Sequence, residues 1–435
     1  MMRKIILKFT FCSLLLCFSY KANAVSLSTL EESLSESFYG TEDADEGLTV
    51  FRSLLIPFGG RTESLGLAYT GLCDDISYLQ FNPAAASIQK ETQFSLFHNS
   101  PVADAKMETL AFTTRLKKLP DLGWGAYASC FYVPFSEYNM FGEKTASSYY
   151  SETTGCFNFS YNFLSGYDFK GLCIGANLKA GWRSVPDYAD DDTNKIIEGS
   201  GLEQSGLALM ADMGILLQFN VLKYFASREP NLRIGISVKN VGLSYTGFGN
   251  EVIKDDSLPS SINGGISVRP IKPLIISLEY SQPVNFYDLS TFHTPYIGSG
   301  IGFQFTKSIS LLGGFAMKGG NPRISCGFEF EYQKLQMNMN YTLDFTTSAA
   351  PLNKISISAK ILLGDKGRAS VEKQIDEYYS QGLIYYSEGE WQKAIEMWQE
   401  ALKLNKRYDP AILGIKTARL QTEMFENIQK SLMFE

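Results

Sequence analysis

The sequence predicts an all-β transmembrane barrel of about fourteen antiparallel strands, followed by a small α-helical domain. Three features of the 435 residues support this: strand-length runs in which apolar and polar residues alternate, an export signal at the N-terminus, and helical periodicity near the C-terminus. Successive side chains of a strand point to opposite faces, so each alternating run has one apolar and one polar face.

The N-terminal residues 1–24 have the pattern of a secretory signal peptide. Three basic residues precede an apolar run, and the small residues Ala22 and Ala24 provide a cleavage site. After this segment, no apolar stretch reaches the roughly 20 residues that a membrane-spanning helix needs. We therefore expect an exported protein that is either soluble outside the inner membrane or a barrel. Residues 25–50 are acidic and rich in Ser, which predicts a flexible lead-in.

Residues 91–364 contain about fourteen alternating runs and are predicted to form the barrel. The clearest pair is Leu335–Phe345 and Lys354–Leu363. Each run has about ten residues, which is the length that a tilted strand needs to cross a bilayer. An even strand number is typical of single-chain bacterial barrels. The alternative is a soluble β-sandwich, whose strands are usually shorter.

The connections between the predicted strands differ in length. Residues 136–151 and 184–206 form long polar connections, whereas 269–273 and Lys334 are short. Barrels of this kind have long external loops and short periplasmic turns. The run Asp190–Asp192 starts like a calcium loop, but the loop's turn glycine and closing glutamate are missing. We therefore predict a solvated loop and no metal site.

Charge and composition exclude several classes of function. The net charge is −7 and no basic stripe is present, so we predict no nucleic-acid partner. The two histidines, His98 and His293, show no metal-ligand spacing and no recognisable Ser/His spacing. The only nominal serine partner is Ser100, two positions after His98. No glycine-rich phosphate loop is found. We therefore expect neither an enzyme nor a cofactor.

Gly59–Ser87 differs from the strand-like region because small residues separate its apolar positions. Leu-Gly, Ala-Tyr, Asp-Asp and Asn-Pro-Ala follow one another in this order. The order resembles the N-terminal signature of FadL-type outer-membrane proteins, the long-chain fatty-acid transporter family, and is most similar to a spirochaete branch of FadL-like proteins. The alternative is a Gly-rich edge hairpin.

The resemblance implies that residues 51–90 form a hatch that plugs the barrel. It places these hatch residues inside the lumen: Asp74, Asp75, Asn82, Pro83 and Ala84.

Residues 365–435 are predicted to be helical. Ser370–Tyr385 and Glu390–Leu404 have helical periodicity, and a third amphipathic segment runs from Pro410 to Leu432. Six residues fall at the offsets of a tetratricopeptide repeat (TPR): Tyr378, Gly382, Tyr385, Ala394, Trp398 and Ala401. The alternative is an ordinary helical hairpin. An even strand count would put the N- and C-terminal segments on the same, periplasmic side of the outer membrane.

By resemblance, the protein would be an outer-membrane channel that admits hydrophobic small molecules such as long-chain fatty acids. The polar faces of the strands would direct several charged residues into a wet lumen: Lys179, Arg183, Arg233, Lys239, Glu329, Asp344 and Lys360. The first four are our candidates for binding a substrate carboxylate, and their alternative role is salt bridging with Glu329 and Asp344. A second hypothesis is a barrel that anchors an assembly and recruits a periplasmic or secretion-system protein through its helices.

Overall fold

The computed structural model describes residues 49–433 except 103, 118, 139–140, 165–168, 188–194, 196, 199, 222–228, 249–250, 288, 290–292, 319–320 and 346–351. The predicted signal peptide, nearly all of the lead-in and the Asp190–Asp192 run lie outside the described residues.

The strands of the described chain form one closed antiparallel sheet, as predicted. Fourteen strands make the barrel, and a two-residue strand, β8, is added to the rim of β7. The strands are β1 (Gln93–Ser100), β2 (Lys106–Arg115), β3 (Leu122–Tyr138), β4 (Lys144–Phe163), β5 (Phe169–Ser184), β6 (Gly206–Phe219), β7 (Leu232–Thr246), β8 (Ile253–Lys254), β9 (Ser261–Val268), β10 (Leu274–Pro283), β11 (Tyr296–Gln304), β12 (Ile309–Lys318), β13 (Asn321–Tyr332), β14 (Leu335–Asp344) and β15 (Leu352–Leu362). Because β1 pairs with β15 and β6 pairs with β7, the fourteen strands of the barrel close on themselves.

The wall has the inverted polarity of a membrane barrel. On β14, Met337, Met339 and Tyr341 are exposed on the outer face, whereas Asn338 and Asn340 are buried inside. Soluble proteins bury the apolar set instead. An outer surface of this composition is suited to lipid. Among the described residues, no helix has the length and hydrophobicity to cross a membrane.

One predicted connection is shorter than expected. Residues 136–151 were predicted to be a long loop, but β3 and β4 continue through most of this range and pair from Leu122 to Tyr138. The prediction was wrong because backbone hydrogen bonding can extend a polar hairpin beyond its apolar stretch, where side-chain alternation no longer marks the strand. The long connection between β5 and β6 is present as predicted.

The two ends of the barrel differ. At one end, here called the helix end, β1 begins and β15 ends, and Gln93 pairs with Leu362. The opposite end, called the loop end, holds the longer connections, including the one between β5 and β6. Val50 donates a hydrogen bond to the carbonyl of Ser257 at the loop end. The start of the described chain thus lies at the loop end, and the N-terminal segment expected on the periplasmic side lies outside the described residues.

Residues 51–90, the hatch, fold inside the barrel. They contain two short helices, α1 (Arg61–Ser64) and α2 (Tyr78–Phe81), and two 3₁₀ turns. Apolar side chains of the hatch form a buried core with inward-facing wall residues such as Phe97 and Leu216. The wall therefore supplies part of the core in which the hatch is packed.

The C-terminal domain consists of α3 (Arg368–Ser387), α4 (Trp391–Leu404) and α5 (Asp409–Met433). Trp398 is buried between the helices, and its indole N–H donates to the carbonyl of Tyr379 at 3.2 Å. A Cβ at Gly382 would overlap the indole, so glycine permits the close crossing. Ala394 and Ala401 are buried beside it, and Tyr378 and Tyr385 pack at the margin.

Candidate functional site

The half of the lumen nearer the helix end is filled by the hatch. Its backbone approaches the wall so closely that wall glycines are required. A Cβ at Gly235 would overlap the carbonyl of Thr70, and a Cβ at Gly314 would overlap the backbone of Gly66. The chain contains 37 glycines. The close approach of the hatch is the structural reason why several of them lie in the strands.

Buried ion pairs attach the hatch to the wall. Arg61 binds Asp74 within the hatch at 2.7 Å and Glu329 on β13 at 2.9 Å. Asp75 pairs with Lys360 on β15. Burial opposes the charged form of Asp74, but the Arg61 guanidinium holds the pKa of that carboxyl well below its usual range. Burial likewise opposes the charge on Asp75, and Lys360 lowers its pKa.

The predicted Asn82-Pro83-Ala84 turn lies deep in the lumen. The Asn82 amide donates to the carbonyl of Thr70 at 3.1 Å and to that of Ile215 on β6 at 3.0 Å. Its side-chain oxygen accepts from the N–H of Ala84 at 3.1 Å and caps the following turn. The wall residue Asn158 donates to the carbonyl of Pro83 at 3.0 Å.

Glu63 forms a second contact between hatch and wall. Its carboxylate accepts hydrogen bonds from Ser356 on β15, from Asn99 on β1 at 3.2 Å, and from Asn340 on β14 at 3.3 Å. Burial raises the pKa of Glu63, and the hydrogen bond from Ser356 partly offsets this effect.

The other half of the lumen, toward the loop end, contains a cavity of about 800 Å³. The hatch forms its floor, and the residues just before the hatch helices line one side. Its apolar lining includes Phe51, Leu54, Ile56, Phe81, Phe131 and Leu258. Charged wall residues also reach the cavity: Glu152, Arg183, Lys239, Glu279, Asp344 and Lys354.

Lys239 lies at a β-bulge in β7. Asp212 on β6 faces the two residues Lys239 and Asn240, and Asn240 has a positive φ of 59°. Alternation already directs Lys239 inward, and the extra residue turns Asn240 inward as well, as bulges next to functional sites often re-aim a side chain. The Lys239 ammonium lies 5.1 Å from the ring centroid of Phe81 at the cavity floor. Within the described chain, no hydrogen bond or salt bridge to this ammonium is found, but the carboxylate of Glu279, which also lines the cavity, attracts it from a longer distance.

The sequence profile of the uncharacterised protein family UPF0164 matches residues 27–366. The chain belongs to this family. A tetratricopeptide-repeat profile matches residues 375–408, which agrees with the predicted helical repeat. Two UPF0164 proteins of Treponema pallidum (strain Nichols) are similar. One is 29% identical over 398 residues, covering 89% of this chain and 87% of the relative, and another is 28% identical over 382 residues, covering 84% and 74%.

Solved barrels are also similar to this UPF0164 chain. The toluene transporter TbuX of Ralstonia pickettii gives a TM-score of 0.45 at 13% identity, covering 70% of this chain and 98% of that chain. The CymD monoaromatic hydrocarbon channel gives 0.48 at 14% identity, covering 70% and 97%. A Pseudomonas aeruginosa FadL homologue gives 0.41 at 8% identity, covering 70% and 98%.

The four candidate cations of the UPF0164 barrel separate into two pairs. Arg183 and Lys239 line the cavity. Lys179 is buried and binds Asp212 at 2.6 Å, and Arg233 donates to the carbonyl of Leu72 at 2.5 Å beneath the hatch. Lys179 and Arg233 are therefore held by the fold away from the cavity.

The predicted salt-bridge partners are wrong. Arg183 binds Asp255 at 2.8 Å, whereas Glu329 binds Arg61 of the hatch. Asp344 binds Arg323 at 2.9 Å and Lys354 at 2.5 Å. Lys179, Glu329 and Lys360, which were expected to face a wet lumen, are buried instead.

Sequence reasoning missed Arg61, Glu63, Asp212 and the inward turn of Asn240. A signal for the bulge was available: outward apolar residues recur every second position up to Val238, but the next is Val241, three positions later. Nothing in the local pattern marked Arg61, because its partner Glu329 is 268 residues away in the sequence.

Proposed function

We propose that this UPF0164 protein is an outer-membrane channel for hydrophobic molecules that carry a carboxylate, and that long-chain fatty acids are the class that fits by size and chemistry. The observation that carries the proposal is the position of Lys239. Its ammonium reaches the floor of an apolar-lined cavity and makes no hydrogen bond or salt bridge with the described residues, while the carboxylate of Glu279 acts on it only from a longer distance.

The cavity suits an elongated apolar ligand. Ligand sites usually measure about 300–1,000 Å³ and combine apolar walls with a few polar groups that fix orientation. In this barrel, Phe51 and Leu258 supply apolar wall, and Lys239 supplies the charge. An acyl chain would lie along the apolar side with its carboxylate at the floor. Such a pair would be strong, because both charges would be shielded from bulk water.

The hatch controls whether a ligand can pass onward after it has bound in the cavity. Because hatch and wall are in contact throughout the filled half, a ligand bound at Lys239 can proceed only if part of the hatch moves or the wall opens. We propose that the loop end faces outward and the helix end faces the periplasm, since long connections are typical of the external side.

Lys239→Met tests the proposal because methionine keeps the length of the side chain and removes the charge. Purified protein in detergent would be titrated with a fluorescent C16 fatty acid and with the matching fatty alcohol. We expect the variant to bind the acid about 10–100-fold more weakly, the loss of one charge-assisted hydrogen bond. The alcohol should bind both proteins equally. Equal acid binding by both proteins would contradict the role of Lys239, and no binding of either ligand would contradict the channel.

The helices favour a second, separable role: recruitment of a periplasmic protein. The repeat profile at residues 375–408 supports this proposal, as do exposed apolar side chains on α5, including Leu413, Leu420 and Met424. The full chain and a variant lacking residues 366–435 would be compared in cross-linking from intact cells. We expect a stoichiometric partner only with the full chain and unchanged fatty-acid binding in both. A partner retained by the shortened chain would contradict this role.

A further inference from the structure

The two ends of the barrel have opposite charge. Among the described residues, the connections at the loop end contain eight Asp and Glu against two Lys, whereas the turns at the helix end contain five Lys and Arg against two Asp and Glu. Neither set belongs to the cavity or the hatch. This difference in charge between the two ends is not needed to close a barrel. It indicates that the basic helix end has an anionic partner.

Four lysines at the helix end share one arrangement. Lys117, Lys272, Lys307 and Lys334 are each exposed, and each lies in a different turn between neighbouring strands. The structure records no hydrogen bond or ion pair from the described residues to the side-chain ammonium of any of them. We call this set the lysine ring. Its charges are therefore available to an external anion.

Exposed apolar residues flank the lysine ring on the wall side. Each ring lysine lies within two positions of one such residue: Leu119, Ile271, Phe305 and Tyr332. The aromatic pairs Phe303–Phe305 and Phe330–Tyr332 form part of the outer surface here. Aromatic residues at this level mark the boundary between hydrocarbon and headgroups. A lysine next to such a residue extends its ammonium into the headgroup layer while its stem stays on apolar surface.

We propose that the lysine ring binds the headgroups of anionic phospholipids in the leaflet at the helix end. The surface is continuous with the lipid-facing wall, so the occupant is a lipid already in contact with the barrel. Each ring lysine would bind the phosphate of one lipid. The acidic loop end would repel the same lipids, and the two effects together would fix the orientation and depth of the barrel.

Native mass spectrometry of the full-length protein tests this proposal. The protein in detergent would be mixed with equal amounts of phosphatidylglycerol and phosphatidylcholine, and the retained lipids counted. We expect a preference for phosphatidylglycerol of roughly fivefold per site at low salt, the effect of one lysine near an anionic surface. The preference should disappear near 1 M salt, where the Debye length is about 3 Å.

Two fourfold variants locate the effect. Changing Lys117, Lys272, Lys307 and Lys334 to Gln should abolish the preference. The matched control changes Lys106, Lys144, Lys195 and Lys254 at the loop end to Gln, and it should retain the preference. Circular dichroism would check that both variants keep the barrel. The proposal is overturned if the wild-type protein shows no preference, if the ring variant keeps it, or if the control loses it equally.

Discussion

The two halves of the lumen use the same wall differently. In the filled half, glycines such as Gly235 and Gly314 let the hatch backbone lie against the strands, and buried cations such as Arg61 bind carboxylates. In the cavity half about 800 Å³ stays open, and the Lys239 ammonium makes no salt bridge with the described residues. The comparison shows that a structural cation and a candidate ligand-binding cation carry the same charge. They differ in whether a carboxylate of the protein forms a salt bridge with them.

The largest effect should come from Arg61→Met, which leaves Asp74 and Glu329 buried without their partner. Breaking a buried ion pair costs about 3–5 kcal/mol, so the hatch should open far more often. The measurement is maleimide labelling of the buried hatch thiol Cys73, followed by peptide mapping, and we expect a rate at least about 100-fold higher.

Lys90→Met is the control for Arg61→Met. Lys90 binds Glu229 at 2.5 Å, but both side chains are exposed. Such pairs contribute less than about 1 kcal/mol. A similar labelling rate in the two variants would contradict the view that Arg61 holds the hatch in place.

The next effect should come from added bulk in the filled half. A side chain at Gly265 would meet the Glu279 carboxylate that binds Thr70, and also Gly71 of the hatch, whereas its neighbour Gly264 points into open space. Gly265→Val should therefore destabilise the protein by about 1–3 kcal/mol, as overpacking does. Gly264→Val should have little effect. Thermal unfolding in detergent measures both, and equal unfolding temperatures would show that hatch and wall are not in firm contact.

A smaller effect on stability is expected for added bulk in the cavity half. Ala316 lies on the inner face of β12 and lines the cavity. Ala316→Leu should change the free energy of unfolding by no more than a surface substitution does, about 0.5 kcal/mol. The unfolding temperature should therefore change little. It should weaken the binding of both fatty acid and fatty alcohol several-fold, because it removes volume. Destabilisation as large as that of Gly265→Val would contradict the distinction between the halves.

The smallest effect is expected for a change of pH close to neutrality, because it should hardly alter the stability of the hatch. The pKa values of Asp74 and Asp75 are lowered in the folded protein, so their contribution to stability is present above the ordinary aspartate value of about 3.9 and is lost as pH falls below it. We expect similar unfolding temperatures at pH 7 and pH 5 and a marked drop near pH 3. Asp75→Asn should reduce that drop, and an unchanged drop would assign it to other groups.

Much of the fold was predictable because alternation is a local property. Leu335–Leu343 shows its two faces in the sequence alone, and the strand count follows from repeating that test. The repeat residues around Trp398 were likewise predictable, because helical offsets relate neighbours three or four positions apart. Strand ends were less predictable where β3 and β4 continue as a polar hairpin.

The sequence by itself determined which face of each strand carries charge and that the outer face is apolar. Only the tertiary structure decided which of those charges are neutralised, since partners such as Arg61 and Glu329, or Asp75 and Lys360, come from segments more than 250 residues apart. Period-two alternation assigns a side chain to the lumen but says nothing about what lies opposite. That depends on how the hatch fills the barrel, and it is why Lys239 could be separated from Lys179 and Arg233 only in three dimensions.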